Sequence, residues 1–355
     1  MKHLLLEVDD ATPKSSIELI EMLSCGIIGL GVIGSRHDEE RKGEGIYSHA
    51  GAYKAIDGYN LVSICDADAQ RAHQSGEFWG IREIYNDVDQ FLSGQQLDVI
   101  SVCTPDCTHY SVLKKVLKGS KKLKAVITEK PLGLSYEECA EIEQLACLNN
   151  VLVEINNQRR AEPMHKKVAA LIKSEKLGSI QAISGYYVKG LFHIGCTMVD
   201  TLRMLFGEVK WVMAVPPFKV GSYGDDYSTD FILGFSNDVK AVVQSCDKDG
   251  YSFSIFEIDI MGSNGRIRIV DNGFKIIQQD IEDYEHYAGF RSLGRENLIA
   301  SDMRHALSHV FKKVYEDIKA EKTGLGTFAQ EALKGMRILD QIRCSEQQQG
   351  MKLEC

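Results

Sequence analysis

The sequence predicts a two-domain α/β chain: a doubly wound parallel sheet, then an α+β domain with a large, mostly antiparallel open sheet. Three observations carry this. Short apolar runs alternate with helical patterns through the first 157 residues. A glycine-rich turn follows the first of those runs. From about residue 180 the strand-like runs follow one another directly, joined by short turns, as an antiparallel sheet requires.

Taken in order, residues 1–23 read as an extension with one amphipathic helix over 15–23. Ser24–Gly29 (SCGIIG) is a buried parallel strand, and the pattern to about residue 58 is a helix enlarged by a polar connection, His37–Gly45. Further strands fall at 61–65, 99–103, 125–128 and 151–156, with helices over 69–79, 110–117 and 136–148 between them. The first domain is placed at 1–157 and the second at 158–355. After a helix over 164–175, strands fall at 180–188, 211–215, 228–235, 240–246, 253–261 and 266–270. Turns at Ser236-Asn237-Asp238, Lys248-Asp249-Gly250 and Gly262-Ser263-Asn264-Gly265 separate several of them. Helices over 301–319 and 327–342 close the chain, the last expected to pack back on the first domain.

Composition narrows the function classes. A net charge of −9 leaves no cationic excess to neutralise phosphates, which argues against a nucleic-acid binder. No apolar run approaches the ~20 residues of a membrane span, and the N-terminal MKHLLLEVDD has too short an apolar stretch for a signal peptide. The ten cysteines are scattered without a CxxC pair, so a reducing, cytoplasmic setting without structural disulfides is expected. Cys103, Cys107 and His109 lack a fourth zinc ligand, and no metal is expected.

Gly29-Leu30-Gly31-Val32-Ile33-Gly34 is GxGxxG between a predicted strand and a predicted helix, the setting of a Rossmann dinucleotide site. Gly29 permits the tight turn, Gly31 lets the main chain approach a pyrophosphate, and Gly34 lets helix and strand pack closely. The phosphates then lie on the helix N-terminus. Asp66, at the end of the second strand, is placed to accept the ribose hydroxyls and to repel a 2′-phosphate, which favours NAD over NADP. It lies 32 residues past Gly34, and the polar stretch 37–45 accounts for the long spacing. Asp68 is the alternative acid. Thr104-Pro105 and Glu129-Lys130-Pro131 stand at two further strand ends, where open α/β sheets bind ligands.

These segments together (GLGVIGSRH, CDAD, SVCTPDCTH and TEKPLG, then the sheet-rich half) resemble the Gfo/Idh/MocA oxidoreductases. The resemblance implies that Lys130, with Glu129, reaches the substrate beside the nicotinamide. It implies that Thr104, Pro105 and His109 form the cofactor-side loop. It also implies hydride transfer on a sugar, polyol or nucleotide sugar, and a homodimer or homotetramer formed through the C-terminal sheet.

A second family motif, D-x-G-x-H-x-x-D, aligns with residues 193–200. Gly195 and Asp200 match, His193 replaces the acid, and Thr197 replaces the usual catalytic histidine. Threonine is no base near neutral pH. Lys130 with His193 is therefore the first candidate for the proton transfer, and Tyr186 or Tyr187 the next. Lys189-Gly190-Leu191-Phe192-His193 resembles a subset linked to surface-polysaccharide sugars, which points to a nucleotide sugar. Arg159, Tyr187, His193, Thr197, Asp200 and Lys130 are the candidate substrate contacts. The alternative function is a catalytically impaired NAD- and sugar-binding sensor or regulator.

Overall fold

The computed structural model describes residues 22–355 except 42–43, 95, 120–121, 220, 237 and 247–254. The chain divides into two units, one formed by residues 20–162 with 303–340, the other by 163–302 with 341–355.

The first unit holds a parallel sheet whose strands are β1 (Leu23–Ile28), β2 (Tyr59–Cys65), β3 (Glu83–Tyr85), β4 (Val99–Val102), β5 (Ala125–Thr128) and β6 (Leu152–Ile155). Their order is β6-β5-β4-β1-β2-β3, and the two-residue strand Gly324–Leu325 adds alongside β6. Every residue of β4, β5 and β6 is buried. VISV, AVIT and LVEI are mostly apolar, as parallel strands covered on both faces require, and their Ser101, Thr128 and Glu154 are buried polar groups. Leu23 opens β1, where the sequence pattern ends a helix; the rest of that predicted helix, 15–21, lies outside the described residues.

The first crossover carries the polar insertion. After a wide, π-type turn of helix over Val32–Arg36, His37–Glu40 adds one further turn and the helix then breaks. It restarts at His49–Ala55 with the Ser48 side chain as N-cap. Asp38 holds the return of the chain: its carboxylate accepts from Tyr47 N, Ser48 N and Ser48 Oγ, the last at 2.7 Å.

Residues 303–340 complete this unit, so the boundary is not the single point at 157 that the sequence pattern marks. The helix Ala306–Lys319 packs Leu307, Phe311 and Val314 onto Ala50, Tyr53 and Tyr59 in one apolar cluster. Tyr59 Oη donates to Phe311 O at 2.8 Å. Lys313 meets the fully buried Glu154 at 2.6 Å and Asp317 at 2.5 Å.

The second unit is built on a sheet with β7 (Ile180–Tyr187), β8 (Val209–Val215), β9 (Asp230–Phe235), β10 (Lys240–Ser245), β11 (Phe256–Gly262), β12 (Gly265–Val270) and β13 (Lys275–Asp283). The order is β13-β12-β11-β7-β10-β9-β8, edged by Arg291–Leu293 and Leu353–Glu354; β7 and β10 run parallel, and every other pair is antiparallel. β11 and β12 alternate buried isoleucines with half-buried residues. The alternation in 253–261 suggests two apolar faces. In the structure the second face of β11 and β12 is charged, with Arg266 paired to Asp259 and Arg268 to Glu296. Phe253 lies outside the described residues.

Candidate functional site

The glycine turn links β1 to the helical turn at residue 32, and its three glycines meet three different constraints. Gly29 has φ +94°, and a Cβ there would stand 2.5 Å from Cys103 O. A Cβ on Gly34 would stand 2.0 Å from Gly29 O. Gly31 has φ −66°, ordinary for any residue, and the space a Cβ would fill is open to 4 Å. The protein's own packing thus requires glycine at 29 and 34 but not at 31, where an open cradle faces outward. Val32 is exposed beside it, whereas Ile33 packs against the apolar cluster.

Asp66 closes the other side of the turn. One carboxylate oxygen accepts from Leu30 N at 2.7 Å; the other accepts from Asp68 N at 2.9 Å and meets Arg71 at 3.5 Å. Asp68, the alternative acid, is the N-cap of helix Ala69–Trp79, accepting from Gln70 N and Arg71 N.

The ends of β4, β5 and β6 lie side by side, because those strands are neighbours. Lys130 follows β5 and is half-buried, with Lys130 N donating to Glu129 Oε2 at 3.3 Å. Glu129 is buried; its Oε1 accepts from Asn156 Nδ2 at 2.5 Å and meets His49 Nε2 at 3.1 Å. Burial pushes this carboxyl up, but the hydrogen bonds from His49 and Asn156 and the charge of Lys130 outweigh it and hold Glu129 below the usual carboxylate range. Glu129 is therefore an anion at neutral pH.

His109, expected beside the cofactor, is fully buried. Its Nδ1 lies 2.6 Å from Pro131 O and its Nε2 2.7 Å from Thr104 O. It clamps the Thr104-Pro105 loop to the Lys130-Pro131 loop instead of facing a ligand. Cys103 and Cys107 do not join it: Cys103 is buried, its thiol pushed well up by that burial, and Cys107 is exposed. Among the described residues no cluster of His, Cys, Asp or Glu could hold a metal.

Two buried polar atoms on this edge have no hydrogen-bond partner among the described residues, Thr104 Oγ1 past β4 and Asn156 Oδ1 past β6. Orphaned buried acceptors of this kind are rare and call for a polar partner. The open cradle at Gly31, the acid at Asp66 and these two atoms fit a dinucleotide along the strand ends. Arg159 is half-buried in the short helix Gln158–Ala161, and Arg160 pairs with Glu331 at 3.5 Å.

In the second unit, residues 190–195 form a wide, π-type turn that leads into the helix Cys196–Phe206. His193 and Thr197 are half-buried and one turn apart, and Asp200 is buried. Asp226 organises this start: its Oδ2 accepts from Phe192 N and His193 N, each at 2.8 Å, and its Oδ1 from Arg343 Nη2 at 2.9 Å. Burial raises the Asp226 pKa, against the pull of the His193 N–H and Arg343. A Cβ on Gly190, which has φ +82°, would stand 2.1 Å from Asp226 Oδ2. Nothing in the local sequence marks Asp226, since it reaches the helix from a separate hairpin.

Tyr187, a candidate for substrate and proton transfer, is fully buried. Its hydroxyl donates to Thr229 O at 2.8 Å and accepts from Thr229 N at 3.0 Å, so it ties the end of β7 to the residue just before β9. Tyr186, on the opposite face of β7, is half-buried.

Residues 23–157 match the GFO_IDH_MocA family, described as an oxidoreductase family with an NAD-binding Rossmann fold. A D-apiose dehydrogenase of Paraburkholderia graminis is 24% identical over 244 residues, which is 62% of this chain and 64% of that enzyme. The match thus spans a little under two thirds of the relative's length. An inositol dehydrogenase homologue of Azotobacter vinelandii, solved with NADH and myo-inositol, superposes with a TM-score of 0.72 at 16% identity over 94% of this chain and 98% of that one. The super-repressor mutant of Gal80p from Saccharomyces cerevisiae superposes with a TM-score of 0.74 at 13% identity, over 94% and 97%. At such identities these two likenesses concern the fold.

Proposed function

Residues 23–157 belong to the Gfo/Idh/MocA oxidoreductase family, with its NAD-binding Rossmann fold, and on that premise we propose an NAD-dependent dehydrogenase acting on a sugar or polyol carbinol or its ketone. The observation that carries this reading is the Glu129-Lys130-Pro131 loop. It stands on the same sheet edge as the glycine turn, with Glu129 held by His49 and Asn156 and Pro131 held by His109.

The chemistry supplied by NAD+, when bound, would be acceptance of a hydride from the carbinol carbon. The glycine turn and Asp66 orient the dinucleotide, and the carboxylate at Asp66 favours NAD over NADP. Lys130 Nζ holds the carbinol oxygen; its ammonium gives the proton when the ketone is reduced, and the free amine takes it back when the carbinol is oxidised. Glu129, ionised and buried, keeps a negative charge next to Lys130 and is not itself the proton donor. His193 is the second candidate for the proton. The names of the relative and of the solved homologue favour a free sugar or polyol over the nucleotide sugar that residues 189–193 point to. Ten free thiols and no helix long and apolar enough to cross a membrane, among the described residues, suit a cytoplasmic enzyme.

The test is NADH formation from NAD+ with a panel of inositols, free sugars and nucleotide sugars. Lys130→Ala is expected to bind NADH as the wild type does and to lose turnover; normal turnover by that variant sinks the lysine assignment. Thr197, in place of the usual histidine, favours one other reading, a protein that binds NAD and a sugar without chemistry. Gain of turnover in Thr197→His, with binding of both ligands but none in the wild type, would support it.

A further inference from the structure

Behind the Lys130 loop the first unit buries a continuous chain of polar side chains. Tyr53 Oη lies 2.8 Å from Ser101 Oγ, Ser101 Oγ lies 2.8 Å from His49 Nδ1, and His49 Nε2 lies 3.1 Å from Glu129 Oε1. Tyr53, Ser101 and His49 are all buried, and Phe311 packs edge-on to the imidazole at 5.2 Å.

The chemistry of each group orders the donors. Glu129 is an anion and can only accept, so His49 Nε2 carries a proton. Burial keeps the Tyr53 hydroxyl protonated, and it donates to Ser101. Ser101 in turn donates to His49 Nδ1, which accepts in the neutral ring. Every hydrogen bond then points towards one carboxylate. Serine, histidine and an acid in series resemble the arrangement that activates a nucleophile. Here the serine is wholly buried within β4 and its oxygen is covered by Tyr53, so no substrate reaches it.

We propose that His49 is the positioning residue of the Lys130 loop, fixing the Glu129 carboxylate next to Lys130 from the far end of this donor chain. The role rests on Lys130 being the group that meets substrate. Glu129 is the residue immediately before Lys130, and its Oε2 also accepts from Lys130 N. A carboxylate free to turn would release the loop and leave a buried charge without partners, which low-dielectric surroundings penalise heavily. The titratable groups around the carboxylate are His49, Lys130 and the neutral Cys103 thiol. Asn156 fixes the carboxylate from β6, but as a neutral amide it cannot report pH. His49 fixes it from the other side and also couples the loop to the restarted helix 49–55 of the dinucleotide crossover.

The test uses the full-length protein and three variants. His49→Leu is expected to hold NADH affinity within about threefold while kcat falls about tenfold or more, the size of one lost hydrogen bond to a charged group. The acid limb of its kcat–pH profile moves to higher pH, because the carboxylate has lost the partner that most opposes its burial. His49→Gln, whose amide reaches the place of Nε2, restores both kcat and the limb. Unchanged kcat and limb in folded His49→Leu, or a glutamine variant no better than the leucine one, overturns the proposal. Should His49→Leu fail to fold, Ser101→Ala removes the bond that orients the imidazole, together with the bond from Tyr53 Oη, which does not touch the carboxylate. It is expected to move the acid limb the same way by less, and an unmoved limb overturns the role.

A wild type without turnover on any carbinol removes the substrate reading and leaves this one testable by infrared difference spectroscopy at neutral pH. The spectrum of His49→Leu minus that of the double variant His49→Leu/Glu129→Gln is expected to show a protonated carboxyl band. Wild type minus Glu129→Gln is expected to show carboxylate alone. Carboxylate in both overturns the proposal.

Discussion

Gly31→Ala separates what the fold needs from what the ligand needs. At φ −66° and ψ −162° alanine meets no backbone penalty, and its methyl enters space open to 4 Å. Two small terms act on the free protein. A less flexible unfolded chain stabilises by about 0.4–1 kcal/mol, and alanine in place of glycine at a helix N-cap costs roughly 0.5–1 kcal/mol. Their sum is near zero, so the unfolding temperature without nucleotide should barely move. The same methyl stands where a pyrophosphate would meet the main chain. Losing one charge-assisted hydrogen bond of about 1.5–3 kcal/mol weakens NADH binding roughly 10- to 150-fold. Gly34→Ala is the control: its methyl would stand 2.0 Å from Gly29 O, and that overlap is expected to destabilise by about 3 kcal/mol. Thermal unfolding and a fluorescence titration with NADH read both quantities. Wild-type NADH affinity in Gly31→Ala would refute the placement of the dinucleotide, and a loss of stability equal to that of Gly34→Ala would refute the packing argument.

Three further outcomes are expected. Tyr187→Phe leaves Thr229 N and O, both buried, without their partner; urea unfolding should show a loss of about 1–3 kcal/mol, with kcat unchanged if the hydroxyl is structural. Lys313→Met removes the counter-charge of the buried Glu154 carboxylate, which keeps its main-chain donors, and should destabilise by about 3 kcal/mol, read by the same titration; a neutral result would refute the pair as a stabilising contact. Burial pushes Asp98 up, but two hydrogen bonds from Ser24 and the Lys122 ammonium more than reverse this and leave its pKa below the usual range. A lowered folded pKa gives stability that is full above the unfolded value near ~4 and is lost as pH falls through the folded one. The stability gap between wild type and Asp98→Asn should therefore close as pH drops below about 4, and a gap independent of pH would contradict it.

The dinucleotide turn was legible because its physics is local: three glycines at fixed spacing, after an apolar strand and before a helix. The strand ends carrying Thr104 and Lys130 were legible for the same reason. The supports behind them were not. The segment GLGVIGSRH ends on His37, which stacks edge-on with Tyr47 at the helix break, while the histidine that meets Glu129 comes 12 residues later, beyond the insertion. No pattern in a single sequence tells which histidine a fold will bury. Asp226 was equally hidden, because capping a helix from a separate hairpin leaves no mark on the helix itself. β13 escaped notice since Gln278 and Gln279, both buried, interrupt its apolar alternation. Tyr187 read as a polar handle near a site, and burial turned it into a cross-link.

The first unit is discontinuous, and this has a consequence for how the protein is made. Its apolar cluster needs Phe311 and its sheet needs Gly324–Leu325, yet 140 residues of the other unit are translated first. At ~5–20 residues per second a ribosome takes roughly 7–28 s over that stretch. Through that interval Tyr53 and Tyr59 lack their covering ring, and the outer edge of β6 lacks its neighbour. The nascent N-terminal segment is then an unfinished sheet with an open edge, the state in which chains are most prone to pair with one another.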